Sequence, residues 1–329
     1  MDIAISILPV ILFLVFLFAM DSFKLVSYKL LSFSIVWGVF AAILSYFINS
    51  YLLLDSANSL TVYSRFQAPV IEELLKALSV LFLVSLKKIG FSIDAIVYGF
   101  ATGAGFSLAE NLYFLTANPD PNLLVWVIRG FGTAIMHGGC TALLAMIIVG
   151  GINRHRIAFR NILAGLIIAT SLHSLFNHFY IDPVLQTLGV VVVIPVLFIL
   201  IFHFKEKGLR KWLDMEFYSE IELLSKINKG EVSNTKAGEY LKSLRERFRP
   251  EAILDMYCYL ALYLELSIKA KRNIMLRESG LEPPTESDIE QKLKELAQLR
   301  KNIGKIGELT LAPLVKMKYN DLWKLKQLS

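Results

Sequence analysis

The chain has 329 residues, 55% of them hydrophobic, with a mean hydropathy of +0.54 and a formal net charge of +6. So apolar a composition excludes an ordinary water-soluble enzyme of this length. Two cysteines, Cys140 and Cys258, lie far apart without CxxC spacing, which excludes a disulfide framework and a cysteine metal knuckle.

Charge divides the chain near Phe204. Residues 1–204 hold 10 Lys/Arg and 9 Asp/Glu, and residues 205–329 hold 24 and 19. The first part reads as a membrane domain and the second as a soluble helical domain. A basic excess beside a membrane points to an anionic lipid surface, not to nucleic acid.

Seven apolar stretches meet the length of roughly 20 residues that a membrane helix needs. They fall near 4–20, 30–53, 67–86, 92–116, 123–150, 160–180 and 184–204. The first lacks a basic leader and a small-residue cleavage site, so it reads as a retained span. Lys24, Lys29, Lys87, Lys88, Arg154, Arg156 and Arg160 lie in alternate short loops, against Arg65 alone in the others. By the positive-inside rule the N-terminus is then outside, and the tail is cytoplasmic in a plasma-membrane protein. The tail is expected to be helical, with starts at Asn234, Pro250-Glu251 and Thr285–Asp288, and breaks near Gly230, Gly280 and Gly304. Ile253, Leu254, Tyr257, Leu260, Ala261 and Leu264 recur at helical spacing as its apolar stripe. The expected fold class is therefore all-α: a polytopic bundle of about seven transmembrane helices followed by a helical cytoplasmic domain.

Ionisable side chains at membrane depth cost a few kcal/mol each and usually mark function. Span 3 carries Glu72, Glu73 and Lys76, span 4 Glu110 and Asn111, span 5 Arg129 and His137, and span 6 His173, Asn177 and His178. At a rise of roughly 1.5 Å per residue, Glu72, Glu73, Glu110 and His173 fall in one layer roughly 8–11 Å from the outer face. His137, fourteen residues into span 5, joins that layer only if the span begins later than drawn. Glu72 and Lys76, four apart in the favoured order, are expected to pair, leaving Glu73 free about 100° round the helix. Arg129 reads as snorkelling outward or pairing with a carboxylate. His173 and Asn177 share one face of span 6. His155, His178 and His203 lie in loops or at span ends and carry no assignment.

Peptide hydrolysis needs an activated water, a base for its proton and donors for the oxyanion. Carboxylates with a His/Asn set meet those needs with or without zinc. No serine or cysteine sits beside them in a nucleophile motif, which favours water over a covalent intermediate.

Four motifs in order, Glu72-Glu73-Leu74-Leu75-Lys76, the Gly99–Asn111 segment (GxxxGxGFxxxEN), His137 and His173–Asn177 (HxxxN), resemble the PrsW family of intramembrane proteases. That family is distantly similar to the CAAX prenyl endopeptidase and bacteriocin-processing superfamily. The resemblance spans roughly residues 60–180. It implies Glu72, Glu73 and His173 as leading catalytic positions, with Glu110, His137 and Asn177 completing the site. The implied roles are Glu73 or Glu72 as general base, His137 and His173 positioning water or binding zinc, and Asn177 holding the oxyanion. Zinc is the candidate cofactor, with glutamate-activated water alone as the alternative. The implied substrate is a membrane-anchored protein, such as an anti-sigma factor, cut near its extracytoplasmic face. Two other readings of the same polar residues are an ion- or proton-coupled carrier and a catalytically inactive scaffold with a partner-binding tail.

Overall fold

The computed structural model describes residues 2–54, 59–117, 122–153, 156–284 and 286–314. Arg154, His155 and Thr285, which the sequence reading used, lie outside them. Two compact units divide the chain, Met1–Glu206 and Lys207–Ser329.

Among the described residues the first unit is helical apart from one two-residue antiparallel pairing. Its elements are α1 (Asp2–Ala19), α2 (Tyr28–Leu54), α3 (Leu60–Val62), α4 (Ala68–Ser85), α5 (Ser92–Ala117), α6 (Leu123–Val127), α7 (Ala134–Gly150), β1 (Ile152–Asn153), β2 (Arg156–Ile157), α8 (Phe159–His178) and the first part of α9 (Pro183–Asn228). A π-helical turn at Tyr63–Gln67 joins α3 to α4, and a second at Ile128–Thr133 joins α6 to α7. Among the described residues, four helices are long and apolar enough to cross a bilayer: Tyr28–Leu53, Leu123–Gly150, Phe159–His178 and Pro183–Asn228. Large apolar side chains such as Val36 (66% exposed) and Val193 (62%) stand out from α2 and α9. Such surface is stable in lipid and not in water, so this is an integral membrane protein. Helix α4 carries Glu72, Glu73 and Lys76, and α5 is diluted by Gly, Ser, Thr and Asn, so neither qualifies by composition alone.

Helix α5 is the hub, packing against α1, α2 and α7, and is buried all round from Ile93 to Ser107. Glycine makes that possible. A Cβ on Gly105 would lie 2.1 Å from Ile35 O of α2, and one on Gly103 would lie 2.3 Å from His137 O of α7. Backbone thus meets backbone on both sides of α5, the small-residue contact that packs membrane helices.

Asp21, in the turn between α1 and α2, is only 6% exposed. Its Oδ2 accepts from the Val26 N–H at 2.8 Å, and Oδ1 has no hydrogen-bond partner among the described residues. Burial pushes its carboxyl up to about 6. A carboxyl whose folded value is raised binds more protons folded than unfolded, so stability falls as pH rises from the unfolded value through about 6, then levels off. Asp21→Asn is expected to remove that loss, worth up to about 2–3 kcal/mol. Thermal unfolding in detergent at about pH 5 and about pH 8 checks it, the gap between the two narrowing in the variant.

In the second unit the remainder of α9 is followed by α10 (Lys236–Ser243), α11 (Pro250–Glu278) and α12 (Ile289–Leu311). Thr235 caps α10 by accepting from the Gly238 N–H, one residue after the start expected at Asn234, while α11 begins at Pro250 as expected. Gly230 and Gly280 break helices with positive φ, and Gly304 (φ 65°, ψ 180°) kinks α12. The buried stripe of α11 is Met256, Tyr259, Leu260, Tyr263 and Leu264. Ile253, Tyr257 and Ala261 only flank it, and Leu254 is 62% exposed. The expected stripe was therefore rotated, because Met256 and the ring bodies of two tyrosines fill the core. Lys271 is buried between Glu216 (3.2 Å) and Glu220 (2.7 Å).

Candidate active site

Four helices bring their ionisable side chains to one place in the first unit. Glu73 of α4 is fully buried, and its Oε1 accepts from Lys76 Nζ at 2.5 Å and lies 3.0 Å from His173 Nδ1 of α8. Its other oxygen has no hydrogen-bond partner among the described residues. Lys76 Nζ also reaches His137 Nδ1 of α7 at 3.0 Å and lies 4.3 Å from the centre of the Phe106 ring. His137 Nε2 lies 3.1 Å from Glu110 Oε2 of α5. The two imidazoles stand edge to face with ring centres 4.6 Å apart.

Donor chemistry fixes the tautomers. An ammonium only donates, so His137 Nδ1 accepts from Lys76 and its Nε2–H donates to Glu110. His173 donates its Nδ1–H to Glu73, and its Nε2 lies 3.7 Å from Glu72 Oε2, where the neutral ring would present a lone pair to a metal. That is the orientation a carboxylate gives a metal-binding histidine from behind.

Lys76 therefore pairs with Glu73 and not, as the spacing suggested, with Glu72. Both offsets place a carboxylate within reach on a helix. Two imidazoles on neighbouring helices decide between them, since they draw Lys76 and Glu73 to the same side. Glu72 turns instead toward a polar chain that the sequence reading missed. Asn49 Nδ2 donates to its Oε1 at 3.5 Å, and the Tyr63 hydroxyl donates to Asn49 Oδ1 at 3.1 Å. An asparagine within the otherwise apolar second span was the signal; nothing singled out Tyr63.

Arg129 Nη2 lies 3.4 Å from Glu110 Oε2, and its Nε donates to Asn111 Oδ1 at 3.2 Å. The guanidinium also stacks on Phe114, 3.7 Å from the ring centre. Asn111 in turn donates to Ser6 O of α1 at 3.0 Å.

His137 joins the layer although it lies far into its span. Residues 123–150 form one run of 28 residues, longer than a bilayer needs, so counting from its start overstates depth. Asn177 has a different partner from the rest: its Nδ2 donates to Ser64 O at 3.0 Å, and Ser174 Oγ donates to Arg65 O at 2.6 Å. Pro69 has no N–H, so the carbonyls of Ser64 and Arg65, five and four residues before it, lack their helical donor and are satisfied here by α8, one turn from His173. Glu72, Glu73, Glu110, His137 and His173 are thus gathered together, and Asn177 braces the helix that carries His173.

Glu72, His137 and His173 offer ligand atoms within 4.8 Å of one another, the three-ligand donor set typical of a catalytic zinc site. Glu72 Oε2 and His173 Nε2 already face each other. His137 would exchange one of its two present contacts. The residues fit a divalent metal.

A Cβ on Gly103 would meet His137 O at 2.3 Å and Gly138 Cα at 2.7 Å. Gly103→Ala is therefore expected to cost about 1–3 kcal/mol by prising α5 from α7, and to displace His137. Unfolding and cleavage assays should both register it. Gly189→Ala, inside α9 with nothing within 4 Å, should leave cleavage unchanged and raise stability by about 0.4–1 kcal/mol.

A membrane bundle that gathers acids and imidazoles around a Glu/His/His donor set has the groups an intramembrane hydrolase needs. More narrowly, residues 26–201 match the PrsW family of intramembrane metalloproteases, and the chain belongs to that family. It is an intramembrane protease and acts on protein substrates. No curated protein and no solved structure matches it.

Proposed function

We propose that the chain is an endopeptidase that hydrolyses peptide bonds of membrane-anchored proteins, anti-sigma-factor-like, near the extracytoplasmic face, with a water activated at Glu73 and the two histidines. The observation that carries this is the shared contact of Lys76 and His173 on one oxygen of Glu73, with no hydrogen-bond partner for the other oxygen among the described residues. Glu72, His137 and His173 are the residues that would hold zinc, which when bound supplies Lewis acidity toward water and the scissile carbonyl. Glu73 orients His173 through Oε1, takes the proton of the attacking water at Oε2 and returns it to the leaving amine. Lys76 keeps Glu73 compensated in the dry interior. Arg129 and Glu110 hold His137, and Asn177 sets the height of His173 rather than meeting the oxyanion.

In the same reading residues 1–204 form a seven-span protease domain of the plasma membrane with an outside N-terminus. Residues 205–329 form a cytoplasmic helical domain whose basic excess favours anionic lipid. The positive loop residues support this orientation.

The test reconstitutes the purified protein with a tagged single-span reporter and measures cleavage and bound metal before and after chelation. Cleavage lost with zinc and regained on its return supports the zinc arrangement. Cleavage that persists in metal-free protein overturns it in favour of glutamate alone, and no cleavage of any membrane-anchored reporter overturns the substrate class.

A further inference from the structure

A cavity of about 430 Å³ lies between α2, the Leu60–Gln67 segment and α5. Its rim is apolar and aromatic, with Tyr46, Phe47, Leu53, Leu60, Tyr113 and Phe114. Its floor is Glu72 and Glu110, so it is continuous with the cluster described above. Phe47 (64% exposed) and Tyr46 also stand on the surface of α2, a helix fit to border lipid, which lets the cavity open sideways toward the bilayer.

We infer that this groove is the substrate doorway, seating an unwound apolar stretch of a membrane-anchored polypeptide with its backbone against Glu72 and Glu110. The inference rests on the protease reading. Three features select that occupant over a lipid chain. Glu72 and Glu110 line the groove, and although Asn49, His137 and Arg129 engage one oxygen of each, an acyl chain would bury the carboxylates without offering a further donor. A peptide supplies N–H donors, but only where it is unwound, since a helix spends its own internally. An extended strand sends alternate side chains to opposite sides, which suits apolar walls flanking a polar floor. Tyr63, whose hydroxyl holds Asn49 against Glu72, sits in the π-turn at the edge of the groove. It is a positioning residue that links the doorway to the site.

The experiment places the photocrosslinker p-benzoylphenylalanine at Phe47 or, as control, at Val193. The protein is the otherwise complete chain carrying Glu73→Gln, in liposomes with a single-span reporter whose apolar segment contains a Gly-Pro break. A reporter adduct from position 47 and only background from position 193 is the expected result. In the active protein, Ser50→Trp, which fills the groove, should lower cleavage about tenfold or more, the worth of one buried apolar side chain. Bound metal should be unchanged. Adducts to phospholipid alone at position 47, or equal reporter adducts from both positions, would overturn the inference, as would wild-type cleavage by Ser50→Trp. Crosslinking needs no turnover, so a reporter that is captured yet never cut counts against the protease reading and not against the doorway.

Discussion

His173→Ala is expected to lower cleavage of a membrane-anchored reporter by about a thousandfold, the scale of losing a positioned acid–base or ligand group. His173 is the group that meets both glutamates, with Nδ1 at 3.0 Å from Glu73 and Nε2 at 3.7 Å from Glu72. Without it Glu73 keeps only Lys76, and Glu72 loses the partner across the space where a water or ion would sit. Folding should suffer little. The Lys76–Glu73 pair remains intact, so the loss is one hydrogen bond and a small void, about 1–2 kcal/mol. Asn177→Ala supplies the contrast: it releases Ser64 O and lets α8 drift, and should cost only about tenfold. Equal losses from the two variants, read in the same liposome assay, would show that His173 does no more than brace helices.

Lys76→Met should give the largest loss of stability, about 3–5 kcal/mol, because it strands the buried Glu73 carboxylate without its counter-charge. Both side chains are fully buried, and the methionine chain fills the lysine's volume without its charge. Pairing Lys76→Met with Glu73→Gln removes both charges together and should restore most of that stability, with a coupling of several kcal/mol in the double-mutant cycle. Activity should be absent from both single variants and from the pair. Equilibrium unfolding in detergent supplies the measurement, and a Lys76→Met protein as stable as wild type would mean that the pair is open to solvent.

The positions of the helices were legible in the sequence because apolar runs and their loop breaks follow directly from the cost of placing polar backbone or charge in lipid. Each stretch read from the sequence lies on a helix. Where polarity changed at Lys205 the backbone did not, and α9 runs on to Asn228, since composition reports the solvent around a helix and not its winding. The gathering of Glu72, Glu73, Glu110, His137 and His173 was legible for a related reason: each is too costly at depth to be there singly. Which carboxylate takes Lys76 was not, because offsets of three and four are both within reach on one helix and His137 and His173 break the tie from other helices. The partner of Asn177 was not legible for a similar reason. It is Ser64 O, left without a helical donor because Pro69, five residues on, has no N–H, and only the fold brings α8 against it.

Both π-helical turns stand just ahead of a helix that supplies the site, α4 after Gln67 and α7 after Thr133. Each behaves as an ordinary helix with one surplus residue wound in. Forcing either segment to regular pitch with its residue count unchanged would advance the downstream face by about 100°. Glu73 or His137 would then swing out of alignment while the apolar runs stayed long enough for lipid. The angular phase of the chemistry is thus stored apart from the residues that perform it: the wide turn absorbs one residue, whereas a one-residue deletion in the regular helix beyond it would turn the site away while leaving a bundle that still inserts.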